Sequence, residues 1–246
     1  MRKPLALLLA SSLLLLGACG GTSELEEAPP PTTKATTEAK PDAEAKPDAE
    51  TQEPEPATAQ EIVIVESNFG QTERDAGIWW YAAVLENPNT DYVFSFAEVT
   101  VEAYDAAGTI LDSGSDYLNI LPGKFALSGS FYEVGQNVID HIEIRGPIAS
   151  EADPAPAGGT GTLATSDIES TSDSYSTTVA GIVSGTFAAE QELVEVTVIA
   201  KNPDGTIIGS EFTFVDRLPV DGRVRFEVTF FDVLPEGTLY EVYAGL

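Results

Sequence analysis

The sequence predicts an all-β chain whose folded region is two tandem antiparallel β-sandwiches of immunoglobulin-like type. Three observations predict it: an internal repeat, alternation of apolar and polar residues with period 2, and turn chemistry between the alternating runs. Residues Glu98–Ser113 match Glu195–Ser210 at nine of sixteen positions at an offset of 97, and Leu121-Pro122 falls on Leu218-Pro219 at the same offset. Further on, Phe125, Leu127 and Phe131 align with Val224, Phe226 and Phe230 at an offset of 99. Val99, Val101 and Ala103 alternate with Thr100, Glu102 and Tyr104, and Val194, Val196, Val198 and Ala200 repeat the pattern. Such alternation marks strands with one buried face. No stretch between 61 and 246 sustains the i, i+3, i+4 apolar spacing of a helix.

The chain begins with Arg2 and Lys3, an apolar run from Leu5 to Leu16, and the small residues Gly17 and Ala18. This is the layout of a secretory signal peptide, 1–18. The run of about twelve residues is shorter than the roughly 20 that a helix needs to cross a bilayer. The stretch Leu16-Gly17-Ala18-Cys19 resembles the lipobox of bacterial lipoproteins, a resemblance that implies cleavage before Cys19 and lipidation of its thiol. Cys19 is the single cysteine of the chain, so lipidation excludes thiol catalysis and disulfides. Two or three acyl chains, each methylene contributing about 0.8 kcal/mol, make such an anchor effectively permanent. Membrane is thus one expected partner. Gly20 follows Cys19, where the family's inner-membrane proteins commonly carry Asp. The expected location is the cell envelope: the outer membrane if there are two membranes, otherwise the outer face of the plasma membrane.

Residues 19–60 comprise the lipidated Cys and a tether rich in Pro, Ala, Thr and Glu, with a near repeat from Lys40 to Thr51 and no aromatic residue. Such a segment buries too little apolar surface to offset its ordering entropy and reads as a disordered linker. The 41 residues from Gly20 to Gln60 would span roughly 35 Å as a flexible coil, and more in a polyproline-like regime. Two modules follow, 61–147 and 163–246, joined by a linker, 148–162, that carries Pro154, Pro156 and the Gly158-Gly159 pair. Asp105-Ala106-Ala107-Gly108 and Asn202-Pro203-Asp204-Gly205 have the composition of tight turns that close a hairpin in each module.

Within the modules Asn87-Pro88-Asn89-Thr90, the strand Val99–Asp105 ending at Gly108, and Leu121-Pro122-Gly123 before a Phe-containing strand resemble the FxLYD domain, a small β-sandwich of exported bacterial lipoproteins. Val101 and Ala103 replace the family's Phe and Leu, while Tyr104 and Asp105 remain; the second copy has Lys201 and Asn202 there. The resemblance implies a sandwich and no activity.

The chemistry expected of the surface is limited. Forty acidic against twelve basic residues give a net charge of −28, which opposes phosphate binding and excludes nucleic acid as a partner. One Cys and one His cannot supply the four ligands of a structural zinc site, and no cofactor is implied. His141 alternates with Ile142 and Ile144 and reads as a solvent-facing strand residue. Thirty acids against seven bases in 61–246, spread evenly over the modules, read as a solvated acidic surface that keeps the chain soluble. They single out neither a glycosidase-like carboxylate pair nor a calcium loop, whose Asp-x-Asp-x-Asp-Gly pattern is absent. The one binding candidate is aromatic. In Trp79-Trp80-Tyr81, whose counterparts at the 97 offset are Ser176, Thr177 and Thr178, parity places Trp80 on the face of Glu86, where it could stack on sugar or a partner protein; core packing or a module-to-module contact is the competing assignment. The expected function is a non-enzymatic envelope lipoprotein presenting its modules to a protein partner or in a structural role. The alternatives are a carbohydrate- or calcium-binding module and, third, a carboxylate hydrolase.

Overall fold

The computed structural model describes residues 58–72, 77–157 and 159–246. The signal, Cys19 and nearly all of the tether lie outside the described residues. The first half contributes β1 (Val63–Gln71), β2 (Trp79–Asn87), β3 (Tyr92–Tyr104), β4 (Ile110–Ile120), β5 (Gly123–Phe131) and β6 (His141–Arg145). A two-residue β7 (Asp153–Pro154) precedes the second half: β8 (Leu163–Ser172), β9 (Thr177–Gly185), β10 (Gln191–Lys201), β11 (Ile207–Leu218), β12 (Arg223–Phe230) and β13 (Leu239–Gly245). All pairings are antiparallel. The described residues contain no α-helix, only a 3-10 turn at Ala149–Glu151. The all-β class follows from the alternation.

The two halves have one topology. In the first, the sheet β1-β2-β5 faces the sheet β4-β3-β6; in the second, β8-β9-β12 faces β11-β10-β13. Among the described residues the second half has six strands, and the first has the same six plus the two-residue β7 paired to β3, against the roughly seven of an immunoglobulin constant-type sandwich. Alternation fills each core. Trp79, Tyr81, Ala83 and Leu85 of β2 meet Val99, Val101 and Ala103 of β3 in one, and Val179 and Val183 of β9 meet Val194, Val196 and Val198 of β10 in the other. The hairpins close as their turn residues dictate. Gly108 N–H donates to the Asp105 carbonyl and Gly205 N–H to the Asn202 carbonyl, both at 3.0 Å, with φ of 78° and 91° that glycine adopts without strain. The ladders also correct one alignment. Trp79 pairs with Phe131 and Thr177 with Phe230, so Trp79-Trp80-Tyr81 corresponds to Thr177-Thr178-Val179, one residue beyond the positions that the 97 offset gives.

The first part of segment 148–162 lies along the first sandwich, and Thr162 at its end bonds to Thr186 of the second half. Asp153 and Pro154 of β7 pair with Val93 and Tyr92 of β3, and Ala155 N–H donates to the Asp91 carbonyl at 2.8 Å. Both sandwiches fall within one compact unit, because they share a third apolar cluster. Ala82 and Val84 of β2, Ala126 of β5, Ile199 of β10 and Ile207 at the start of β11 are buried together, flanked by Trp80 and Tyr243. The outer face of β1-β2-β5 therefore packs on the outer face of β11-β10-β13, giving four stacked sheets.

Polar groups fix the register of this contact. Asn68 Nδ2 donates to the Ile207 carbonyl at 2.6 Å, Ser128 Oγ to Ser210 Oγ at 2.8 Å, and Ser210 Oγ to the Tyr81 carbonyl at 3.2 Å. Lys201, buried at the rim, bridges Glu66 of the first half at 2.5 Å and Glu241 of its own half at 2.9 Å. Burial alone would lower the Lys201 pKa, but its hydrogen bonds to the two carboxylates outweigh that and hold it above its ordinary value. Ile199 is fully buried, yet its counterpart at the 97 offset is Glu102 on the free face of β3. Replacing Ile199 with Glu should cost about 3–5 kcal/mol, from lost apolar burial and an unpaired carboxylate in the contact. Chemical denaturation is the readout; a loss under roughly 1 kcal/mol would show that the contact does not hold the halves together.

Candidate functional site

The residues singled out by sequence separate in space. Trp79 is buried in the first core, and its indole Nε1 has no hydrogen-bond partner among the described residues. Trp80 points the other way, half-buried beside the inter-sandwich cluster. Its ring fits because position 70 is glycine: a Cβ on Gly70 would sit 2.7 Å from Trp80 Cζ2. The structure thus places Trp80 at the seam between the sandwiches. His141 is exposed, stacked on Tyr104 with centroids 5.1 Å apart, and its Nδ1 lies 3.0 Å from Asp140 Oδ2. It faces water while Ile142 and Ile144 pack on the core.

Loop carboxylates are occupied by their own turns. Asp105 Oδ1 accepts from Ala107 and Thr109 N–H at 2.9 and 2.8 Å, and Asp173 Oδ1 accepts from Tyr175 and Ser176 N–H at 2.7 and 2.9 Å. These backbone bonds hold both carboxyls below the usual range. Among the described residues no group of three or more His, Cys, Asp or Glu is arranged to hold a metal ion.

Two surface features went unread in the sequence. One is an exposed aromatic stack, Phe96 on Tyr117, with centroids 5.0 Å apart and planes 22° from parallel. Phe96 adopts φ of 48°, and Leu193, its counterpart at the 97 offset, adopts 54°. The shared left-handed conformation at a bulky residue is strained, and it sits at the same place in both copies.

The other feature is a cavity of about 680 Å³ at the junction. Its walls come from the β4–β5 turn, the segment around Thr160, β10 and the end of β13, including Leu118, Phe125, Glu195, Thr197 and Tyr243. Glu195 accepts a hydrogen bond from Thr197 Oγ1 at 2.8 Å. Burial raises its carboxyl above the ordinary range; that bond partly offsets the effect and the nearby Asp116 charge adds to it. The counterpart of Glu195 is Glu98, which is exposed and bonded to the Tyr117 hydroxyl. Packing of the first sandwich on β10 leaves Glu195 only half-buried, where Glu98 is exposed. Comparing the copies position by position would have exposed the contact, because Ile199 breaks an outward face that is otherwise Glu195, Thr197 and Lys201.

Partly buried carboxyls give the fold a pH dependence. Burial, with a smaller contribution from Asp232, pushes Glu211 up to about 7 from 4.5. Burial also raises Asp116. The folded chain therefore binds protons that the unfolded chain has released between about pH 4.5 and 7, and stability falls as pH rises through that window. The melting temperature should be higher at pH 5 than at pH 8, and Glu211→Gln should shrink the difference by removing the titrating group. An equal difference in the variant would contradict the assignment to Glu211.

No family model and no curated protein matches the chain. Among solved structures it is similar to a D341A D367A calcium-binding mutant of Bacteroides uniformis beta-glucuronidase 2, at 13% identity and a TM-score of 0.20, covering 69% of this chain and 23% of that one. The chain thus spans about a quarter of that protein's length, and at this TM-score the likeness carries no argument about activity.

Proposed function

We propose that the protein is a non-enzymatic, lipid-anchored component of a bacterial cell envelope that presents a rigid two-sandwich body to a protein partner. The observation that carries this reading is the buried inter-sandwich cluster of Ala82, Val84, Ala126, Ile199 and Ile207, which joins the two sandwiches into a single body rather than two beads. The lipobox-like Leu16-Gly17-Ala18-Cys19 and the charged, proline-rich tether support attachment at a distance from a membrane. A net charge of −23 from thirty acids and seven bases in 61–246 supports an outward-facing body, since an anionic membrane repels it within about 8 Å at physiological salt.

A second reading, carbohydrate binding, is favoured by the Phe96–Tyr117 stack, whose residues are 72% and 53% exposed and offer flat apolar faces to a sugar. A glycan array probed with the wild type and with Phe96→Ala tests it, and binding that the substitution removes would favour it.

The anchor is tested by Cys19→Ala. This variant should leave the membrane fraction for the soluble one. Unchanged fractionation would refute lipid anchoring through Cys19.

A further inference from the structure

The junction cavity has the size of a small-molecule site, which is typically about 300–1,000 Å³, and its composition is selective. Leu118, Phe125 and Leu163 supply apolar walls, while Glu195 supplies a carboxylate. None of the described basic side chains pairs with Glu195; its one hydrogen bond comes from Thr197. Lys124 lines the same cavity, but its charge acts on Glu241. A partly buried carboxylate without a cation carries a desolvation cost, and a second acid, Asp116, bears on it. The exposed counterpart Glu98 carries no such cost, so the sandwich fold does not require a carboxylate in this setting.

We propose that the cavity binds a small organic cation, an ammonium group attached to an apolar body, with Glu195 as its counterion and Thr197 holding the carboxylate in place. A metal ion fits less well, because it needs several hard oxygen ligands and the described residues gather no such set. The site forms only when β10 of the second half meets β5 of the first, so binding would also stabilise the junction. This inference does not depend on the lipid anchor or on a protein partner.

Titration calorimetry and melting of the full-length chain in detergent, with phenethylamine and hexylamine as probes, test it directly. At least one amine should bind one to one and raise the melting temperature. The isosteric acid phenylpropionate and the alcohol 2-phenylethanol should not. Glu195→Gln should keep the fold, since it removes a desolvated charge, and should weaken amine binding at least tenfold. Absence of binding by both amines, equal binding of phenylpropionate, or amine binding unchanged in a folded Glu195→Gln variant would each overturn the proposal. Any of these results would leave the anchored-display reading intact, because that reading is tested by fractionation.

Discussion

Everything distinctive about this protein depends on one contact: the outer face of β1-β2-β5 lying on the outer face of β11-β10-β13. Each sandwich could close its own core without it. The contact buries Val84 and Ile199 completely, aligns the polar bridges of Asn68 and Ser210, and sets Lys201 between carboxylates from both halves. It also creates the junction cavity and half-buries Glu195. Fold, electrostatics and candidate site are consequences of the same packing.

The contact uses different faces of the two copies, and head-to-tail arrangements of this kind extend indefinitely unless something stops them. Here the free faces are made polar at the positions that matter, as terminal repeats must be. Ile199 of the contact has Glu102 as its counterpart on the free face of β3, where Arg145 pairs with Glu102 at 2.7 Å and with Glu143 at 3.1 Å. Ala126 of the contact has Arg225 as its counterpart at the 99 offset, and Arg225 pairs with Glu169 and Glu227, both at 3.2 Å. Exposed ion pairs of this kind add little stability. Their effect is to put charge at the two free-face positions that correspond to Ile199 and Ala126 of the contact.

The sequence made the strands and hairpins legible because a period of 2 and a turn glycine are local signals. Val99, Val101 and Ala103 point into the core as their alternation requires, and His141 faces water. The outer face of β2 was harder to read. Its alternate residues Trp80, Ala82, Val84 and Glu86 end in an acid, so the face reads as solvated, whereas what covers it comes from more than a hundred residues further along the chain. No local pattern encodes such a partner. The difference between copies does encode it, since Glu102 becoming Ile199 makes sense only if one face is wet and the other is covered. Glu195 was illegible for the same reason, because its residue type matches Glu98 and only the packing separates them.

Distance measurement by pulsed electron spin resonance between labels on the two free sheets tests the shared contact most directly. Labels at Glu143 on β6 and Glu227 on β12, each introduced as Cys in a full-length chain with Cys19→Ser, report the relation between the sandwiches without touching their interface. One narrow distance distribution, broadened when Ile199→Glu is added, is the expected result. A broad distribution in the chain with Ile199 intact would mean that the sandwiches move independently, and would contradict the account.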